Sequence, residues 1–106
     1  MLILKLKTTN MYQVTIHHHD KEWRRGDLED KMELVAQENF KTRTAAKNYL
    51  EGDIARRRFQ TVHRDYHKGD TSSLVWAYTG MTWQHENSGE TMEEFYRYEL
   101  KKVKLR

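Results

Sequence analysis

The stretch TRTAAKNYLEGDIARRR, residues 42–58, decides the fold, because it is the one segment of this 106-residue chain that reads as a helix. Thr42 or Thr44 can cap its first turn by accepting a backbone N–H bond. Ala45, Ala46, Tyr49, Leu50 and Ile54 follow at helical spacing and form one apolar stripe. Lys47 and Glu51 stand four apart, where opposite charges pair on the solvent side. Arg56, Arg57 and Arg58 fall in the last turn, where positive charge complements the carbonyl end of the helix dipole. Gly52 weakens the middle by about 1 kcal/mol relative to Ala. The pattern predicts an end near Phe59 or a continuation toward Tyr66.

Outward from the helix, the chain alternates with the period of strands. Leu2, Leu4 and Leu6 against Ile3, Lys5 and Lys7 predict a first strand, and Thr8-Thr9-Asn10 reads as a turn. Tyr12, Val14 and Ile16 against Gln13, Thr15 and His17 predict a second strand to about His19. Asp20 to Asp30 is polar, contains Gly26-Asp27, and reads as a long hairpin loop. Met32, Leu34 and Ala36 predict a third strand. Beyond the helix, Lys68-Gly69-Asp70 reads as a turn, and Leu74 to His85 is β in composition. Asn87-Ser88-Gly89 closes a hairpin onto Met92 to Leu105. The expected order is β-β-β-α-β-β. The expected fold is a single α+β domain over residues 1–106, an antiparallel sheet of four to five strands with one helix packed on one face.

Composition narrows the class. The chain is 33% charged and 37% hydrophobic, with mean hydropathy −1.03, which makes a lean core. A small domain buries a smaller share of its surface, so self-association is one way to complete its apolar contacts. Three Trp, six Tyr and three Phe supply large buried areas and argue against global disorder. The absence of cysteine excludes a disulfide framework, a thiolate nucleophile and a cysteine zinc site, and favours a reducing, cytoplasmic setting. The apolar run from Met1 to Leu6 is broken by Lys5 and is too short for a membrane span, so no membrane partner is expected. Met11, where a strand pattern resumes, is an alternative start.

One helix cannot hide both faces of a sheet, and Leu74 to Trp83 is apolar on both. Leu74, Trp76 and Tyr78 point one way, and Val75, Ala77, Met81 and Trp83 the other. The partner strand places Tyr96, Tyr98 and Leu100 on one face and Phe95 on the other. Aromatics on the face away from the helix are expected to mark an interface. The residues expected there are Trp76, Tyr78, Tyr96 and Tyr98, joined by Trp23 from the polar loop, which either folds back onto the lean core or anchors a partner.

Charge is concentrated in one place. Arg56, Arg57, Arg58, Arg64 and Lys68 stand against Asp65 alone, so that stretch holds more than the +3 of the whole chain. Such a patch attracts phosphate, and these five residues are the expected nucleic-acid contacts, widened by Lys101, Lys102, Lys104 and Arg106. The bland counterpart is a well-solvated helix end. His17, His19, His63 and His67 form a metal set only if the fold brings them together. No catalytic constellation is present: Glu93 and Glu94 would face opposite ways on a strand, and Ser72, Ser73 and Ser88 lack a nucleophile-elbow pattern. The sequence therefore predicts a non-enzymatic binding module without a cofactor. Its partner is another protein or a second copy of itself, with nucleic acid as the alternative. Composition of this kind is also frequent among accessory proteins of phages and mobile elements.

Overall fold

The computed structural model describes residues 9–24, 27–69, 71–85 and 90–105, with side chains at 10–22, 27–69, 71–80 and 93–104. The elements are β1 (Thr9–Arg24), β2 (Asp27–Phe40), α1 (Arg43–Arg57), β3 (Thr61–Asp65), β4 (Ser73–His85) and β5 (Glu90–Leu105). The strands form one sheet in the order β2-β1-β5-β4-β3, and all neighbours are antiparallel. This is the expected α+β architecture, with the helix on one face. No described helix is long and apolar enough to cross a membrane.

The helix forms as its sequence predicts. Thr42, not Thr44, is the cap, its hydroxyl accepting from the Ala45 N–H at 3.1 Å. Ala46, Leu50 and Ile54 point inward and meet Val14 and Ile16 of β1, Val75 and Ala77 of β4, and Tyr98 and Leu100 of β5. Tyr49 packs against Phe40 at 5.1 Å between ring centres. Each large apolar side chain removed from water here contributes about 1.5–3 kcal/mol. Glu51 is held chiefly by residues beyond the helix. Arg64 grips it at 2.7 and 2.9 Å, the Tyr66 hydroxyl donates to it at 2.6 Å, and the Lys47 ammonium lies over the Tyr66 ring at 4.5 Å.

The helix stops at Arg57 rather than running on toward Tyr66. Arg58 turns left-handed (φ 56, ψ 62) and donates its backbone N–H to the Ile54 carbonyl at 3.3 Å. The freed chain forms the short strand β3, whose β-branched start, Thr61-Val62, pairs with Tyr78 and Ala77. The expected order is corrected accordingly: among the described residues it is β-β-α-β-β-β. The strand predicted at Leu2–Lys7 and the turn at Asn87–Gly89 lie outside the described residues. Thr9 and Asn10 belong to β1 rather than to a turn.

The largest correction concerns Asp20 to Asp30. The ladder between β1 and β2 runs to Arg24 opposite Asp27, so Asp20–Arg24 and Asp27–Asp30 are strand and not a long loop. Cross-strand complementarity supports it, with Asp20 opposite Lys31 and Lys21 opposite Asp30. Asp27 to Asp30 are exposed, and their polarity reflects contact with solvent. At about 1.5 Å per residue the 15-residue helix is about 22 Å long, whereas the 16 residues of β1 extend about 53 Å. The helix links β2 at one sheet edge to β3 at the other and leaves the far end of the sheet uncovered.

Candidate functional site

Strand register assembles the face opposite the helix. One row crosses the sheet as His63, Trp76, Arg97, His17 and Leu34, and the next as Thr61, Tyr78, Phe95, His19 and Met32. The middle of the second row is an aromatic stack. His19 lies parallel to Phe95 at 4.6 Å, Tyr78 packs on Phe95 at 5.5 Å, and His63 meets Tyr78 edge-on at 5.9 Å. Lys21 caps the Phe95 ring at 5.3 Å. Phe95 and His19 are buried although no helix covers them, and Trp76 and Tyr78 are half-buried. Burial first, then the neighbouring Arg97 and His19, hold the His17 imidazole below its ordinary pKa, which favours its neutral form.

The stack gives way to exposed apolar side chains at β2. Leu28, Met32 and Leu34 are 48%, 56% and 57% exposed, and Val35 is 39% exposed. Met32 and Leu34 pair with His19 and His17 and so share the open face, and Leu28 lies on the same side by alternation. Val35 sits where the register shifts, Ala36 pairing with Ile16 and Leu34 with His17. Such an extra residue bends a strand and increases its twist. β2 is also a sheet edge, with one side of its backbone free of any strand among those described.

Two residues expected at the interface belong elsewhere. Tyr98 is fully buried under the helix, and Tyr96 lies on that same face between Phe59 and Arg57. Trp76 and Tyr78 are on the open face as expected. Trp23 lies in β1 opposite Leu28 rather than in a loop, and its side chain is outside the described set. Sequence reasoning placed a strand at Met32, Leu34 and Ala36 but began it after Leu28 and did not read its apolar row as a site. The usable signal was the alternation of Leu28, Asp30, Met32 and Leu34, masked because Leu28 and Asp30 read as loop.

The basic segment is two structures joined by a turn, and much of its charge is engaged. Asp53, only 6% exposed, accepts from Arg57 at 2.7 Å, from the Tyr98 hydroxyl at 2.6 Å and from Arg56. Burial would raise the Asp53 carboxyl, but the bonds from Tyr98, Arg57 and Arg56 outweigh it and hold it below the usual carboxylate range. Arg64, on β3, is bound by Glu51 through both oxygens. Arg58 and Lys68 are exposed, and Lys68 lies in the turn before Gly69, whose φ is +73. Arg43, at the start of α1, donates to the His67 carbonyl and the Ser73 hydroxyl.

The four histidines do not converge. His17 and His19 share the open face at 6.3 Å between ring centres, but His63 lies three strands from His17, about 14 Å away. His67 follows β3 and pairs with Asp65 at 3.2 Å. A metal set of His17, His19, His63 and His67 is therefore ruled out by strand order. Among the described residues a different set meets on the helix side: His18, Asp20 and Glu94. No protein-family model, curated protein or solved structure matches the chain.

Proposed function

We propose that this protein is a non-enzymatic protein–protein interaction module that docks a partner, including a second copy of itself, on its open sheet face next to β2. One observation carries the reading. The strongly exposed large hydrophobics among the described residues, Leu28, Met32, Leu34 and Val35, all lie on this one edge strand. Covering each such side chain is worth about 1.5–3 kcal/mol. The adjoining backbone edge offers a partner strand a row of hydrogen bonds. The neighbouring stack of His19, Phe95 and Tyr78 gives that surface a rigid floor, which lowers the entropy lost on docking.

Light scattering across a concentration series, with hydrogen exchange of the β2 amides, tests this. Self-association protects those amides as concentration rises, and Met32→Lys with Leu34→Lys removes both effects. For a foreign partner, cross-linking in extracts compares the wild-type and doubly substituted proteins. A concentration-independent monomer, joined with equal cross-linking by both forms, overturns the proposal.

The alternative, phosphate binding through Arg56, Arg57, Arg58, Arg64 and Lys68, has less support. Arg56, Arg57 and Arg64 would have to exchange Asp53 and Glu51 for a ligand. A salt titration with oligonucleotides separates the readings, because phosphate-led binding weakens steeply with salt.

A further inference from the structure

We propose that His18, Asp20 and Glu94 form a divalent metal site on the helix-side face of the sheet, with a donor set and spacing suited to zinc. The site stands independently of the docking surface, which lies on the opposite face. Its geometry follows from strand periodicity. His18 and Asp20 are two apart on β1 and share a face, and Glu94 on β5 stands directly opposite Asp20. The His18 Nε2 lies 3.4 Å from Glu94 Oε2 and 3.7 Å from Asp20 Oδ1, and all three donor atoms fall within 4.8 Å of one another. Zinc holds nitrogen and oxygen donors at about 2.0–2.2 Å, which separates tetrahedral donors by about 3.3–3.6 Å. The two distances from His18 are close to that spacing. One nitrogen and two oxygens leave the fourth position to water.

The same distances exceed those of a direct charge-assisted hydrogen bond. A protonated imidazole bound directly to a carboxylate closes to about 2.7–2.9 Å. Both contacts here are wider and leave room for an ion between the groups. The surrounding charge calls for a cation as well. Asp20 and Glu94 are like charges in directly opposed positions, an arrangement that destabilises a strand pair. By alternation Glu29 and Glu33 lie on this face, with Lys31 opposite Asp20. Arg57, which stacks over Tyr96 on this side, is bound to Asp53. The His18 ring is steadied against Tyr96 at 4.9 Å between centres. The side chains of His18, Asp20 and Glu94 are 19%, 33% and 25% exposed, shielded from bulk water yet open to an entering ion.

The test uses untagged full-length protein, stripped of metal and never passed over nickel resin. Zinc alone is titrated by calorimetry and by competition with a chromogenic chelator, and cobalt replaces zinc to report geometry by its visible spectrum. The expected result is one ion per chain, a tetrahedral cobalt spectrum, and a thermal midpoint that rises with zinc. His18→Ala and Glu94→Gln should each weaken binding beyond the about 10–100-fold that loss of an outer-shell partner costs. Both positions are half-buried, and circular dichroism confirms that the variants fold. His17→Ala and His19→Ala, on the other face, should leave affinity unchanged. Absence of stoichiometric zinc binding overturns the proposal, and so does binding that survives His18→Ala but is lost in His17→Ala or His19→Ala.

Discussion

Replacing Tyr98 by Phe removes one atom from the joint between helix and sheet. The Tyr98 ring is fully buried, and its hydroxyl donates to Asp53 Oδ2 at 2.6 Å. Phe keeps the ring and leaves no orphaned group at position 98, so the change isolates the hydrogen bond. A bond to a charged acceptor contributes about 1.5–3 kcal/mol, and Asp53 retains Arg56 and Arg57. Tyr98→Phe is therefore expected to cost about 1.5–3 kcal/mol. Asp53→Ala should cost about 3–5 kcal/mol, because it leaves the Tyr98 hydroxyl buried without an acceptor and the partly buried Arg57 without its anion. The double variant should cost less than the sum of the two.

Urea unfolding followed by circular dichroism measures each loss. The pH dependence supplies a second readout. Asp53 and Glu51 both titrate below their ordinary values in the folded protein. Hydrogen bonding from Arg64 is the leading cause for Glu51, whereas at Asp53 three hydrogen bonds overcome burial. A depressed carboxyl contributes stability above its unfolded pKa, about 3.9 for Asp and 4.3 for Glu, and loses it as pH falls through the folded value. The wild-type midpoint should hold level near neutral pH and fall below about pH 4. Tyr98→Phe should make that acid limb shallower, because the Asp53 carboxyl is then held less far below its unfolded value. A cost under about 0.5 kcal/mol, or an unchanged acid limb, refutes the account of the joint.

Three backbone predictions follow from the same urea assay. Gly52 is exposed within α1, and a Cβ there meets nothing within 4 Å, so Gly52→Ala should stabilise by about 0.5–1 kcal/mol. Arg58 carries a side chain at the left-handed end of α1, so Arg58→Gly should stabilise by up to about 1–2 kcal/mol whereas Arg58→Ala should not. Gly80 has φ +86, and its Cβ would come within 2.6 Å of Gln60 Oε1, so Gly80→Ala should destabilise by about 1–2 kcal/mol.

The fold class was legible because it rests on periodicity, which is local. Ala46, Leu50 and Ile54 at helical spacing, and Val75 and Ala77 alternating with Leu74, Trp76 and Tyr78, state which side chains turn inward before any partner is known. Polarity misled wherever it was read as loop. Asp20–Arg24 and Asp27–Asp30 are strand, and a polar charge pattern looks the same in a strand and in a loop. The run of Arg56, Arg57 and Arg58 raised a related difficulty. Its composition announces positive charge, but Asp53 and Glu51 take up much of it, and those pairings depend on how α1 meets β3 and β5.

By itself the sequence determined one amphipathic helix among alternating strands, and therefore a layered domain with one face lacking a helical cover. Tertiary structure alone decided the rest: β2 became an exposed edge, Tyr98 went under the helix while Trp76 stayed outside it, and His18 rather than His17 met Glu94. The physical reason is that alternation assigns a side chain to one of two faces but does not say which strand lies alongside. Neighbours in a sheet are chosen by pairing between distant segments, and each site here is made of residues that only that pairing brings together.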